Sequence, residues 1–170
     1  MSKAFTRESD DLPDRPVPPR SAALLPPGAK NYLTPGGARR LRQELERLVS
    51  VERPQLAAAA ADEDAKRQLH ALDQRIHHLQ QTLHTAVVTG PPAEADGVAR
   101  FGATVAVRDR SGAESTYRIV GVDESDLDRN WVSWLSPIAK ALLNARVGQR
   151  VRLKLPGGEE ELEILRVSYE

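Results

Sequence analysis

The spacing of apolar residues changes once along the chain, from a helical period to a strand period. Between residues 32 and 88, leucines recur every three or four positions, which is typical of helices with one buried face. From residue 98 onward, apolar and polar residues alternate in short runs, which is typical of strands. The pattern therefore predicts an α+β protein with a helical first half and a sheet-forming second half.

The helical half is predicted to be a hairpin of two arms. Thr34 and Pro35 are a helix-start signal, because threonine caps and proline fits the first turn, whereas Pro54 should bend or restart the first arm. The second arm carries a heptad seam spaced 3, 4, 3, 4, formed by Leu69, Leu72, Ile76, Leu79 and Leu83. Facing seams and a short link predict an antiparallel coiled-coil hairpin, whose first arm is roughly 40 Å long at 1.5 Å per residue.

The second half is predicted to be a small domain over residues 98–170. Strands are expected at 103–108, 115–121, 131–135, 150–155 and 160–169. Ser136 and Pro137 should begin one short helix, and the run from Pro156 to Gly158 should close a hairpin between the last two strands. We expect a strongly bent antiparallel sheet that carries this helix.

Two further segments are poor in regular structure. Residues 1–31 contain six of the twelve prolines and are expected to form a disordered or extended tail, which is either a plain leader or a partner-binding segment. Residues 89–97, "TGPPAEADG", are expected to be a linker.

Composition narrows the function classes. The formal net charge is zero and no strongly basic face stands out, which disfavours binding to nucleic acid or anionic membranes. The 170 residues include no cysteine, no apolar run of about 20 residues and no apolar signal core. We expect a cytoplasmic protein without a membrane segment. No catalytic constellation of its own appears, so no enzymatic activity of its own is expected.

Three neighbouring carboxylates stand at the predicted turn of the hairpin. Asp62, Glu63 and Asp64 follow a run of five alanines and precede the second arm. They either position a metal ion, because carboxylate oxygens suit Mg²⁺, or they solvate the turn and cap the second helix. The residues alone leave both interpretations open.

A second acidic group follows the predicted strand at 115–121. Asp123, Glu124, Asp126 and Asp128 crowd one loop, which is either a solvated loop or a docking surface for a basic patch on a partner. Trp131 and Trp134 are the only tryptophans, and their odd spacing in a strand predicts opposite faces, one core and one interface anchor.

Several stretches resemble the bacterial GreA/GreB transcript-cleavage factors. They are "YLTPGGARRLRQELERL" (32–48), "VERP" (51–54), "FGATVAV" (101–107), "YRIVGVDE" (117–124), "SPIAKALLNARVG" (136–148) and "LPGGEEELEILRVSYE" (155–170). The resemblance covers nearly everything after residue 31.

The resemblance implies a fold and a role. It implies a coiled-coil hairpin followed by an FKBP-like domain that binds bacterial RNA polymerase beside its secondary channel. The hairpin tip would help the polymerase cleave the 3′ end of backtracked RNA, with Asp62, Glu63 and Asp64 as the catalytic acids on a magnesium ion held by the polymerase. The chain would need no cofactor of its own and would act as a monomer. The polymerase-binding residues are expected to be Asp123, Glu124, Asp126, Trp131, Ser136, Pro137 and Ile138.

The tip departs from the family pattern. The family's glycine, Asp, gap, Glu-Asn signature is missing, and the hairpin looks about a dozen residues short, which is roughly 10 Å of reach. The alternative is therefore a channel binder that regulates the polymerase by occupancy, without stimulating cleavage.

Overall fold

The computed structural model describes residues 25–59, 61–94 and 96–170. Most of the predicted N-terminal tail, residues 1–24, lies outside the described residues.

The first half folds as a helical hairpin. Its first arm comprises helix α1 (Pro35–Arg47), a π-helical segment (Leu48–Glu52) and helix α2 (Arg53–Ala58). A short turn leads into helix α3 (Glu63–Thr85), which is the second arm. At 1.5 Å per residue, the first arm is about 36 Å long, close to the length predicted from the sequence.

One apolar core joins the two arms. Leu41 and Leu48 of the first arm are buried with Leu72, Ile76 and Leu79 of the second arm. The ends of the predicted seam, Leu69 and Leu83, are only half-buried. Ion pairs on the surface also link the arms, with Arg75 2.8 Å from Glu44 and Arg53 2.7 Å from Asp73. The seam therefore faces the first arm as predicted, while supercoiled coiled-coil packing stays a prediction.

The π-helical segment gives the first arm its irregularity. Proline lacks a backbone N–H, so Pro54 cannot donate to a carbonyl of the preceding turn. The helix continues through a wider turn instead of ending, because the N–H of Arg53 donates to the carbonyl of Leu48, five residues back. The disturbance predicted at Pro54 is thus present as a π turn just before it.

Two short strands close the base of the hairpin. Strand β1 (Asn31–Leu33) precedes the first arm, strand β2 (Ala86–Val88) follows the second, and the two pair in parallel from Asn31–Ala86 to Leu33–Val88. The side chain of Asn31 reinforces the base, because its amide donates to the carbonyl of Thr82 over 3.0 Å.

The second half is a five-stranded sheet with one short helix. The strands are β3 (Thr104–Asp109), β4 (Glu114–Val120), β5 (Trp131–Ser133), β6 (Arg150–Leu155) and β7 (Gly158–Ser168), in the order β5-β4-β3-β7-β6. Helix α4 (Pro137–Leu142) starts where predicted, with the Ser136 hydroxyl accepting from the N–H of Ala139. A separate core lies under this sheet and includes Val105, Val107, Ile119, Leu142 and Ile164.

The sheet differs from the prediction in one pairing. β4 and β5 run parallel, so the sheet is mixed and the prediction of a purely antiparallel sheet was wrong. The parallel arrangement arises because residues 121–130 carry the chain back across the end of β4 through a 3₁₀ turn (Val122–Glu124). An FKBP-like fold for this domain stays a prediction. Among the described residues, no helix is long and apolar enough to cross a membrane.

Candidate functional site

The three tip acids lie at the end of the hairpin remote from the sheet. Asp62, Glu63 and Asp64 are all exposed, in the turn between α2 and α3. Asp62 is the N-cap of α3: its backbone is extended and its carboxylate accepts from the N–H of Asp64 over 3.1 Å. Glu63 and Asp64 occupy the first turn, where the positive end of the helix dipole favours acids.

Each of the other two acids also has a partner within α3. Glu63 pairs with Lys66 at 2.6 Å, and Asp64 pairs with Arg67 at 2.9 Å. Hydrogen bonds from Arg67 and then Gln68 lower the pKa of Asp64 below its ordinary value. Asp64 is therefore ionised at neutral pH. All four charged groups are exposed, so solvent screens these pairs and a stronger ligand can displace them.

The three tip acids carry oxygen atoms of the kind that bind hard metal ions. Carboxylate oxygens are the donors that Mg²⁺ prefers. In the parts of the chain that the structure describes, no group of three or more His, Cys, Asp or Glu side chains is arranged to hold a metal ion.

The predicted partner-binding acids Asp123 and Glu124 lie at the opposite end, against the base of the hairpin. The Glu124 side chain is only 1% exposed. Its carboxylate accepts from the backbone N–H and the hydroxyl of Thr34, at 2.8 and 2.5 Å, and from the N–H of Gly121 at 3.1 Å. Arg40 lies 3.4 Å from the same carboxylate.

Asp123 contacts the other arm. One of its oxygens lies 2.8 Å from Nε2 of His78, and the other accepts from the hydroxyl of Thr82 over 3.3 Å. The adjacent residues Asp123 and Glu124 therefore hold α3 and α1, respectively, and their carboxylates face the hairpin instead of solvent.

The two tryptophans have different environments. Trp134 packs against the core under the sheet and meets Tyr32 of β1 edge-on, with 5.3 Å between ring centroids. Trp131 is half-buried at the surface, with the guanidinium groups of Arg40, Arg118 and Arg129 between 4.8 and 5.3 Å from its ring centroid.

The remaining predicted partner-binding residues divide into surface and structural roles. Asp126 is half-buried and lies 3.4 Å from Arg129. Ser136 and Pro137 form the start of α4, and Ile138 packs against the core. Asp126 also lies next to Trp131, because an isolated antiparallel bridge joins the backbones of these two residues.

Sequence reasoning missed the contacts between the two halves. Gly37 is the signal that could have indicated them, because glycine is a poor residue for a helix. A Cβ at Gly37 would lie 1.8 Å from an oxygen of Glu124, so the close approach of the carboxylate requires glycine there.

Comparisons with known proteins point to one family. Residues 94–169 match the family model described as "Transcription elongation factor, GreA/GreB, C-term". The transcription elongation factor GreB of Neisseria meningitidis serogroup B is 42% identical over 154 residues, covering 82% of this chain and 94% of that protein. The transcription elongation factor GreA of Alkalilimnicola ehrlichii is 41% identical over 156 residues, covering 83% of this chain and 99% of that protein.

Among solved structures, the GreA factor homolog 1 (Gfh1) of Thermus thermophilus is 27% identical to this chain. The match covers 82% of this chain and 99% of that protein, with a TM-score of 0.39.

The alignment to the Neisseria relative also bears on length. Eighty-two per cent of 170 residues is about 139, so about 15 of the 154 aligned positions have no residue in this chain. The expectation that the hairpin itself is about a dozen residues short stays a prediction.

Proposed function

Because the chain belongs to the GreA/GreB family of transcription elongation factors, we propose that it binds RNA polymerase at the secondary channel and stimulates the polymerase's intrinsic cleavage of backtracked RNA. The chain would act as an accessory and not as an enzyme by itself. It would act as a monomer in the cytoplasm, with the tip near the RNA 3′ end.

The observation that carries this proposal is the separation of the tip acids from the sheet domain. The exposed carboxylates of Asp62, Glu63 and Asp64 stand at the end of an arm about 36 Å long. A narrow two-helix rod is a shape that can enter a channel while the domain at its base stays outside. The rod would deliver acid groups to an active centre that the chain does not itself contain.

The chemistry of the tip acids suits that delivery. A magnesium ion held by the polymerase would supply charge stabilisation for phosphodiester cleavage and activation of water. The tip carboxylates would add oxygen ligands and orient the water. Breaking the pairs of Glu63 with Lys66 and of Asp64 with Arg67 costs little, because solvent screens exposed ion pairs.

Docking would use the surface around Asp126 and Trp131 together with the start of α4. Trp131 has a large apolar ring at the surface, and tryptophan is enriched among residues that dominate binding energy. The buried Glu124 would support this surface from below instead of contacting the polymerase.

The test is a cleavage assay on backtracked complexes. The wild-type chain is expected to release 3′ RNA fragments faster than polymerase alone, and the triple variant Asp62→Ala, Glu63→Ala, Asp64→Ala is expected to lose this effect while still binding. A matched control removes three exposed acids elsewhere, Glu94, Glu114 and Glu159, and should retain stimulation. Equal activity of the tip variant and the wild type would refute the proposed role of the tip.

The second candidate function is regulation by occupancy without cleavage. One observation favours it: all three tip acids have partners within α3. A wild-type chain that binds polymerase tightly, yet leaves the cleavage rate unchanged, would establish this candidate instead.

A further inference from the structure

The base of the hairpin contains a buried contact that the proposed docking and cleavage do not use. Glu124 belongs to the 3₁₀ turn after β4, whereas Thr34 and Gly37 belong to the N-terminus of α1, about 90 residues earlier. We call these three residues the clamp. We propose that the clamp fixes the direction of the hairpin relative to the sheet domain, so that Glu124 is a positioning residue for the tip acids; the consequence for cleavage rests on the proposed function.

The hydrogen bonds of the clamp form a continuous chain. The N–H of Gly37 donates to the Thr34 hydroxyl over 2.9 Å, and that hydroxyl donates to a Glu124 oxygen over 2.5 Å. The other Glu124 oxygen accepts from the N–H of Thr34 over 2.8 Å. The sheet domain therefore supplies a carboxylate to the positive end of the α1 dipole, next to the residue that caps the helix.

Burial makes the hydrogen bonds between Glu124 and Thr34 costly to break. A buried carboxylate that loses its donors keeps the desolvation cost without the compensating hydrogen bonds. Glu124 is 1% exposed and accepts from the N–H and the hydroxyl of Thr34, so a change in hairpin direction would break bonds that water does not replace. The two halves pack so closely here that no side chain fits at either glycine. A Cβ at Gly37 would lie 1.8 Å from Glu124, and a Cβ at Gly121 would lie 2.2 Å from the carbonyl of Tyr32.

The neighbouring residue provides a second point of attachment. Asp123 binds His78 and Thr82 of α3, while Glu124 binds the start of α1. A rod held at both of its helices by two consecutive residues is restrained in tilt and in rotation about its own axis. Packing of Tyr32 against Phe101 and Trp134, with centroids 5.5 and 5.3 Å apart, restrains the same base.

The length of the arm amplifies small changes at the base. For an arm of about 36 Å, a tilt of about 10° moves the tip by about 6 Å. A carboxylate binds magnesium at about 2 Å, and a misplacement of about 1 Å can cost on the order of 100-fold in rate. Loss of the clamp would thus remove the function of the tip without altering any residue of the tip.

Two glycines in the first turn of α1 offer a matched pair of variants. Gly37→Ala places a methyl group into the Glu124 carboxylate, whereas Gly36→Ala meets its nearest neighbour, Arg40, at 3.4 Å. Both changes have the same helix propensity effect, so only the steric effect on the clamp differs. A milder pair is Thr34→Val, which removes the hydroxyl, and Thr34→Ser, which keeps it.

The decisive measurement is a distance across the base in the full-length chain. The chain has no cysteine, so spin labels attach only at introduced positions. We choose Gln55→Cys near the tip and Ser115→Cys on β4, which are both exposed. The labelled parent should give one narrow distance distribution by pulsed electron paramagnetic resonance. Gly37→Ala should broaden or shift it by several ångströms, and Gly36→Ala should leave it unchanged.

The outcomes separate this inference from the proposed function. A folded Gly37→Ala variant with the parental distance distribution overturns the clamp; if this variant does not fold, parental distances in Thr34→Val overturn it. The distance measurement needs no polymerase, so it decides on the clamp even if the wild-type chain fails to stimulate cleavage. If the wild type does stimulate cleavage, Gly37→Ala should reduce that stimulation by about tenfold or more with polymerase affinity retained. Unchanged stimulation would refute the positioning role.

Discussion

At the scale of single residues, capping and metal positioning by Asp62 can be separated chemically. Asparagine caps a helix about as well as aspartate does, but it carries no charge. Asp62→Asn should therefore keep the stability of α3 within a few tenths of a kcal/mol, whereas Asp62→Ala should lose about 1 kcal/mol because the N–H of Asp64 loses its acceptor. Urea titration of the free energy of unfolding measures both.

The same two variants test the role of the charge. If Asp62 contributes a ligand to the polymerase's magnesium, Asp62→Asn and Asp62→Ala should reduce cleavage stimulation alike. If Asp62 only caps α3, Asp62→Asn should stimulate as the wild type does, which would remove Asp62 from the proposed site.

Asp109 gives a prediction about pH. Its carboxylate accepts from the hydroxyl and N–H of Ser111 and from the N–H of Ala113, and these bonds, the Ser111 hydroxyl foremost, lower the pKa of Asp109 below its ordinary value. A lowered folded-state pKa stabilises the fold above the unfolded-state value of about 3.9, and this contribution is lost as the pH falls through the folded-state pKa. Asp109→Ala should thus be less stable than the wild type at pH 7, and the difference should shrink below about pH 4.

Urea midpoints at pH 7 and at successively lower pH would measure this difference. Asp128→Ala, which removes an exposed acid, is the control and should differ little from the wild type at pH 7. A deficit of Asp109→Ala that stays constant down to pH 3 would contradict the account.

At the scale of elements, burial is uneven along the hairpin seam. Leu79 is 1% exposed near the base, whereas Leu69 near the tip is half-buried. Leu79→Ala should lower the free energy of unfolding by about 2–5 kcal/mol, and Leu69→Ala should cost clearly less because less apolar area leaves water there. Equal losses in thermal or urea unfolding would show that the seam is packed uniformly to its tip.

The same elements show what local sequence could and could not indicate. The heptad spacing predicted α3 correctly, and the pairs Thr34-Pro35 and Ser136-Pro137 predicted the starts of α1 and α4. These predictions were possible because helix caps and periodicity are local signals in the sequence. The strands β1 and β2 were missed because each has three residues and their parallel pairing joins positions 55 apart. The parallel β4–β5 pair was missed for a similar reason, since its direction depends on the path of residues 121–130.

The candidate site likewise has one part that local sequence predicts and one part that it does not. The position of the tip acids at the hairpin turn could be predicted, because it depends only on where two helices end. The burial of Glu124 could not, because an acidic loop reads as solvated until the partner that satisfies its carboxylate, here Thr34, is known.

At the scale of the whole molecule, the length of the hairpin determines what the tip can reach. If the wild-type hairpin already matches the distance from the docking surface to the polymerase's active centre, lengthening the hairpin should reduce cleavage stimulation. Seven residues inserted after Leu56 and seven before Leu69 add about 10 Å while keeping the seam in register, since a heptad preserves the 3.5-residue repeat. We expect the lengthened chain to bind polymerase and to lose most of its cleavage stimulation.

The opposite result has an equally specific meaning. A lengthened chain that stimulates cleavage more strongly than the wild type would show that the native hairpin stops short of the active centre. That result would favour the second candidate function, regulation by occupancy without cleavage. The control carries the same two insertions with the three tip acids changed to alanine, so that any gain can be assigned to the carboxylates. Because the inserted heptads leave Thr34, Gly37 and Glu124 untouched, the direction of the hairpin stays fixed and only its reach changes.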